Sequence, residues 1–468
     1  MADTKAYAGL QDVAHGKVTT IPYEEAAAAT RAADQQGTEE RPEGTQPDTD
    51  DDPSRDRESE AASVSSTTEY EAPTLNGEGK SYATAVTQSL PKETRKTESS
   101  SQYDDTPYPP LSAKSSAGDH ERQAWKAAGI RFAPAQIPLP RRLQTAAVLF
   151  HCMSIVLFVS CFWFVCANPF AWPILVPYLI YLTLSTAGTN GNLSHRSEYL
   201  RSLPLWSLMA GYFPAKLHKT FDLPPDRKYI FGYHPHGIIS HGAWLAFATN
   251  ALGFREKFPG ITNSLLTLDN NFRLPFHRDW ILALGVRSVS KDSICNALGK
   301  GGPNNDGQGR AVTIVVGGAR ESLEGQPGTL RLLLKGRKGF IKMALRTGAD
   351  LVPVLGFGEN DLYDQLSPKT HPVVHKVQMF FLKVFKFTLP AFHARGLLNY
   401  DIGLMPYRRP LNIVVGRPIQ VNRAADVQPT QEDIDRLHEL YVNEVVKMWE
   451  AYKDQFAPDR IAEMQIMA

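Results

Sequence analysis

The chain has 468 residues, 50 Lys and Arg against 49 Asp and Glu, a formal net charge of +1, and four cysteines. That length permits two or three domains, and four scattered cysteines exclude a disulfide framework. The neutral total hides a division: the first 110 residues hold 22 acidic and 10 basic side chains, leaving 40 basic against 27 acidic for the rest. Such an excess suits an anionic surface or a phosphorylated ligand, whereas no zinc spacing or recognition motif accompanies it, so nucleic acid is not expected as a partner.

The first stretch in chain order is not a domain. Residues 1–120 are rich in Ser, Thr, Gln, Pro and Glu and poor in large aliphatics, and such a segment cannot bury enough apolar surface to offset its ordering entropy. We expect a disordered acidic tail, with Asp48 to Asp52 a solvated charge run, and a chain beginning near Ser112 is expected to keep its activity. Met1 to Thr20 has neither a basic start nor an apolar core, so no secretory signal is expected there.

Between Arg142 and Arg196 lie 53 residues without Lys, Arg, Asp or Glu, where one membrane pass needs about 20. The pattern predicts a membrane-embedded helical hairpin over 141–186, with limbs near 143–166 and 170–185 and a turn at Asn168-Pro169. Arg141, Arg142 and Arg196 at its two ends place both termini on the cytosolic side. A re-entrant hairpin in one leaflet is the alternative, since the second limb is short and carries Pro173 and Pro177; a buried globular core is the other. Leu200 to Met209, followed by Tyr212-Phe213-Pro214, Lys216 and Lys219, suits the membrane interface or an ordinary turn.

From about residue 200 to 468, strand-like and helix-like runs alternate, which predicts an α/β domain whose sheet is covered by helices. Strands are expected at 228–233, 264–268, 311–316, 351–356 and 411–415. Helices are expected at 243–251, 281–284, 293–298, 340–346 and 432–452, the last with Thr430 and Asp433 as a capping pair. The apolar run from Val373 to Phe387, broken by Lys376, Lys383 and Lys386, reads as an interfacial helix or as core.

The sharpest chemical signal is Tyr229-Ile230-Phe231-Gly232-Tyr233-His234-Pro235-His236-Gly237, a strand that ends in two histidines. Pro235 keeps His234 extended, and Gly237 permits a sharp turn into a helix beginning near Ile238. A helix N-terminus there would keep a histidine neutral and able to take a proton, and would offer the N–H groups of Gly237 and Ile238 to an oxyanion. A His-x-His metal pair is the competing reading, but only His241 lies close by as a further ligand, so no metal is expected.

Further along come Gly317-Gly318-Ala319-Arg320-Glu321, then Arg337-Lys338-Gly339-Phe340-Ile341-Lys342 running on to Leu351-Val352-Pro353, then Phe357-Gly358-Glu359-Asn360. With Tyr212-Phe213-Pro214 and His234-Pro235-His236-Gly237, and in this order, they are similar to the marks of the diacylglycerol O-acyltransferase type 2 family. The resemblance runs from the hairpin nearly to the C-terminus and leaves out the tail. It implies a sheet like that of glycerolipid acyltransferases, acyl-CoA as donor and co-substrate with no resident cofactor, and diacylglycerol as acceptor among membrane lipids. It also implies residence in the endoplasmic reticulum membrane and on lipid droplets. Monoacylglycerol or a long-chain alcohol is the alternative acceptor, and a non-enzymatic droplet coat protein is the alternative class.

Related glycerolipid acyltransferases place an Asp five residues after the histidine. Here that position is Ile239 counted from His234 and His241 counted from His236, so an orienting carboxylate must come from elsewhere. Glu321 is the candidate, because the turn at Gly317-Gly318 could bring it to the histidines' edge of the sheet; a glutamate that merely begins a helix is the plain alternative. His236, with His234 as runner-up, is expected to act as general base on the acceptor hydroxyl. No Gly-x-Ser-x-Gly elbow exists and Cys295 has no neighbouring His, so a covalent intermediate is not expected. Lys338, Lys342 and Arg346, with Arg337 beside them, recur along one helical face and are expected either to cradle CoA phosphates or to face solvent. Arg278-Asp279 and Arg417 are weaker candidates for a phosphate or headgroup.

Overall fold

Seven strands make one sheet: β1 (Lys216–Lys219), β2 (Tyr229–His234), β3 (Thr262–Thr267), β4 (Arg287–Ser288), β5 (Arg310–Val315), β6 (Asp350–Phe357) and β7 (Asn412–Val415). Their spatial order is β1-β7-β6-β2-β5-β3-β4, and every neighbouring pair is parallel except β6 with β7. This computed structural model describes residues 106–111, 125–127, 130–134, 136–302, 304–366, 371–385, 391–421 and 429–468.

The sequence explains why β2 and β6 lie at the centre. Both are buried at every position, as strands covered on two faces must be. Alternation along β2 then sorts its side chains. Tyr229, Phe231 and Tyr233 join one core with Phe247, Phe254 and Phe258, while Ile230 joins the other with Ile341, Tyr441 and Val445. That second layer comes from α7 (Gly339–Thr347) and α9 (Gln431–Phe456), which lie after α1 (Leu139–Cys166), α2 (Trp172–Leu184), α3 (Pro204–Tyr212), α4 (His241–Ala243), α5 (His277–Ala283) and α6 (Lys291–Gly299).

All five expected strands are present within about two residues of their predicted limits. The two not foreseen, β1 and β4, are the edges of the sheet. β1 reads Lys-Leu-His-Lys with one buried side chain, the charged edge that discourages pairing with another chain and hides the strand pattern. The capping box at Thr430 and Asp433 forms as expected. The helix expected over 243–251 starts earlier, at His241, and continues as a π-helical turn over Trp244–Ala248.

The two limbs of the expected hairpin are α1 and α2, joined at Asn168-Pro169. Helix α1 has 28 residues and is long and apolar enough to cross a membrane. Helix α2 has 13 residues, about 20 Å at 1.5 Å per residue, which falls short of a bilayer's hydrocarbon thickness of about 30 Å. Neither limb stands free of the domain. Ala147 and Val148 of α1 enter the first core, Phe150 and Phe158 pack on Trp280 of α5, and Phe276 touches Phe162 of α1 and Tyr178 of α2. The Tyr178 hydroxyl donates to Asp279 at 2.6 Å and accepts the Phe276 N–H at 2.7 Å. The other side leaves Leu157, Phe164, Phe170, Ile174, Val176 and Ile180 exposed, a contiguous apolar face of the kind that meets lipid. Val373, Val377 and Phe380 of α8 (Pro372–Phe385) are exposed as well.

Most of the acidic tail lies outside the described residues, but 106–111 is described and is docked. The ring of Tyr108 packs edge-on against Phe221 and Tyr452. Its hydroxyl donates to Glu444 at 2.6 Å and accepts the Arg417 N–H at 3.2 Å. Glu444 is fully buried, and a buried carboxylate needs such donors. Arg417 therefore belongs to this structural cluster, with its guanidinium 4.0 Å from Glu444. A chain cut at Ser112 loses the whole contact, although the sequence predicted disorder through residue 120. We predict that Tyr108→Ala lowers unfolding free energy by about 1–3 kcal/mol through lost ring burial and loss of the hydroxyl's hydrogen bond to Glu444. Denaturant melts should show the same loss on truncation at Ser112 and none on truncation before Thr106.

Candidate active site

Because β2, β5 and β6 are parallel neighbours, their C-terminal ends leave the sheet on one edge, where parallel α/β sheets place their ligands. After β2 come Pro235-His236-Gly237, after β5 Gly317 to Glu321, and after β6 Gly358-Glu359-Asn360. The last two share a construction: a buried strand, a glycine turn, then a glutamate that turns back beneath the histidine loop.

Glu321 is 1 % exposed and Glu359 2 %. Glu321 accepts the backbone N–H of His236 and that of Leu333, each at 2.7 Å. Glu359 accepts the Tyr233 hydroxyl at 2.8 Å and the N–H groups of His241 at 2.7 Å and Gly242 at 2.9 Å. Two carboxylates thus grip the loop at both ends. Burial pushes both up to about 7, against the opposing pull of those donors. Gly237 sits between them with φ of +57°, and a Cβ there would lie 2.6 Å from the Glu359 Cγ, so both conformation and space call for glycine.

The two histidines separate. His234 continues the Ile230–Gly232 side of β2, is fully buried, and lies 3.0 Å through Nε2 from the Tyr441 hydroxyl under α9. Burial pushes its imidazole down to about 3. It sits within the core, packed against Tyr441. His236 lies past the strand end and is only partly buried. Its Nδ1 is 3.1 Å from the Gly237 carbonyl oxygen. A carbonyl can only accept, so Nδ1 carries the proton and Nε2 the free pair. Burial holds this imidazole below its ordinary value. Among the described residues the N–H groups of Gly237 and Ile238 have no hydrogen-bond partner.

Three expectations change. Glu321 reaches the histidine corner, but it holds the main chain of His236, and the group facing the imidazole is a carbonyl. Helix α4 begins only at His241, after Ser240 in a left-handed conformation at φ +55°, and Glu359 already takes its first N–H groups, so burial in place of a helix terminus keeps His236 neutral. The four basic residues do not form one cradle. Arg337 donates to the Gly317 carbonyl at 3.0 Å, beside the corner, whereas Lys338 is paired with Asp435 at 2.7 Å, and Lys342 and Arg346 are exposed farther along α7. Arg278 is buried beside Asp279 against α2's Tyr181, away from the corner.

Glu359 was the residue without an assigned role. Its signal was present, since an acidic residue directly after the apolar run Leu351 to Phe357 and a glycine is at a buried sheet end, where a carboxylate needs partners. Tyr441 was legible only as an apolar position of α9; nothing local says that its hydroxyl reaches β2, where it also donates to the Gly232 carbonyl at 3.0 Å.

Comparison with known proteins identifies the family. Residues 164–466 match the family model for diacylglycerol acyltransferase. The diacylglycerol O-acyltransferase 2A of Umbelopsis ramanniana is 47 % identical over 72 % of this chain and 94 % of its own. The 2-acylglycerol O-acyltransferase 1 of Bos taurus is 43 % identical over 70 % of this chain and 96 % of its own. A solved 1-acyl-sn-glycerophosphate acyltransferase from Thermotoga maritima aligns over 66 % of this chain and 97 % of its own at 12 % identity, with a TM-score of 0.32, too low to carry an argument. The matched span takes in the strands, the histidine corner and both glutamates, and by it the chain belongs to the diacylglycerol acyltransferase family.

Proposed function

We propose that this chain is an acyl-CoA-dependent O-acyltransferase that moves a fatty acyl group onto the free hydroxyl of diacylglycerol, giving triacylglycerol and CoA. The observation that carries the reading is His236, its Nδ1 proton committed to the Gly237 carbonyl and its Nε2 left as acceptor at the C-terminal edge of a parallel sheet. The acceptor oxygen attacks the thioester carbonyl carbon while its proton passes to Nε2. The oxyanion so formed is received by the unbonded N–H groups of Gly237 and Ile238. Its collapse re-forms the carbonyl, breaks the C–S bond, and returns the proton from His236 to the departing thiolate. Glu321 and Glu359 are positioning residues that hold the loop from below.

Helix α1 and the exposed faces of α2 and α8 seat the domain on a membrane, where both the acceptor and the product dissolve. The short second limb suits a hairpin that enters the surface and returns from the same side, as in the endoplasmic reticulum membrane and on lipid droplets, with both termini cytosolic. The test is purified protein with labelled acyl-CoA and a panel of diacylglycerol, monoacylglycerol and long-chain alcohol. Labelled triacylglycerol as the main product supports the reading; preferred transfer to another acceptor, or none, rejects it.

A further inference from the structure

Beside the histidine corner lies a cavity of about 1520 Å³ whose wall runs from the first turns of α1 past Pro235 and Glu359 to the end of α9. Most ligand pockets hold roughly 300–1,000 Å³, so there is space for more than one small molecule. Six arginines line it, Arg141, Arg142, Arg395, Arg408, Arg409 and Arg460, and among them Arg141, Arg395 and Arg408 lie close enough to act on one another. Arg395 is 7 % exposed; its Nε donates to the neighbouring Gly396 carbonyl at 3.3 Å, and its guanidinium sits over Tyr400. Arg408 donates to Gln144 Oε1 at 2.8 Å and to the Arg141 carbonyl and Thr145 hydroxyl at 2.9 Å each, stacked 4.0 Å from the Tyr212 ring centre.

None of these partners is anionic. Among the described residues no carboxylate pairs with any of the three. Of the acidic side chains on the same wall, Glu359 is committed to the corner and Asp361 to the Gly328 N–H at 2.7 Å, while Asp459 is exposed beyond the end of α9. Burial pushes Arg408 down to about 10, and the charges of Arg395 and Arg141 push the same way. Crowded, half-buried cations without a counter-charge are stabilised by an anion, and guanidinium groups match the geometry of phosphate.

We propose that Arg141, Arg395 and Arg408 form an anion site that takes the phosphate groups of CoA, directing the thioester toward Pro235 and the histidine corner. The assignment rests on the transferase reading for its choice of ligand, because of the two co-substrates only acyl-CoA is charged. The wall's chemistry is consistent with that choice, since Leu149, Leu355, Phe357 and Trp449 give an apolar side for the acyl chain. Arg141 stands at the start of the apolar helix α1, the level at which a charged head stays in water while its chain enters lipid. This arrangement replaces the α7 face as the CoA phosphate site.

The test is calorimetric binding of CoA to the full-length chain in phosphatidylcholine nanodiscs, with wild type, Arg395→Gln and Arg408→Gln. Each substitution should raise Kd about tenfold or more, as expected for a lost hydrogen bond to a charged group. Arg408 also ties α1 to the domain, so Arg395→Gln, whose side chain touches Gly396, Tyr400 and Tyr212 but not α1, decides the matter if the other misfolds. An unchanged Kd in an Arg395→Gln chain that melts like wild type overturns the site. So does normal CoA binding combined with lost retention on phosphatidic acid vesicles, which would assign the arginines to a lipid headgroup. The two readings fail separately: arginine-dependent CoA binding without acyl transfer keeps the site and rejects the transferase, and acyl transfer with arginine-independent binding does the reverse.

Discussion

His236→Ala should lower turnover by roughly 100- to 10,000-fold, the contribution of a positioned general base, while CoA binding and the melting temperature stay close to wild type. The small effect on folding follows from the geometry. His236 is held through its backbone N–H, which alanine keeps, and its ring bonds only the adjacent Gly237 carbonyl. His234→Ala should do the opposite. Its ring fills a site under α9 against Tyr441, so its removal opens a cavity and costs stability first, by about 1–3 kcal/mol. Steady-state kinetics beside thermal melts separates the two outcomes. A His236→Ala chain that turns over normally would remove the base from the mechanism.

Glu321→Ala should cost about 2–6 kcal/mol of unfolding free energy, because it strands two buried N–H groups at about 1–3 kcal/mol each. Turnover should fall with it as the histidine loop loosens. A double-mutant cycle tells a main-chain anchor from a ring-orienting carboxylate. If Glu321 acts on the N–H of His236, its replacement costs the same stability in a His236→Ala chain, since that N–H is still there. If it acted on the imidazole, the stability cost would shrink once the imidazole is gone. Measured by urea unfolding, a coupling energy near zero supports the anchor.

The difference between what could and could not be read in the sequence has a physical pattern. Central strands are largely apolar and end near Gly or Pro, so β2, β5 and β6 were legible from residue type alone. Edge strands such as β1 are charged against aggregation and read as loop. The histidine corner was legible because proline and glycine constrain the chain locally. The function of Glu321 was read only in part, since the sequence could place it at the correct edge but not say whether it meets a ring or a main chain. Glu359 and Tyr441 act through contacts 118 and 207 residues distant in the chain, which no local pattern encodes. The two limbs of the hairpin were legible as charge-free runs, whereas the packing of α2 on Phe276 and Asp279 is a tertiary fact.

The central claim is that a neutral His236, kept so by burial and committed through Nδ1 to a carbonyl, takes the proton at Nε2. The pH dependence of kcat/KM tests it most directly, because a base works only when deprotonated and the profile of the free enzyme reports its ionisation. With the imidazole held below its ordinary value, activity should remain level as pH falls through the usual imidazole range and decline only below it. The residual activity of His236→Ala should lack that acid limb. An acid limb at or above the ordinary imidazole value, or one that survives in His236→Ala, would contradict the account.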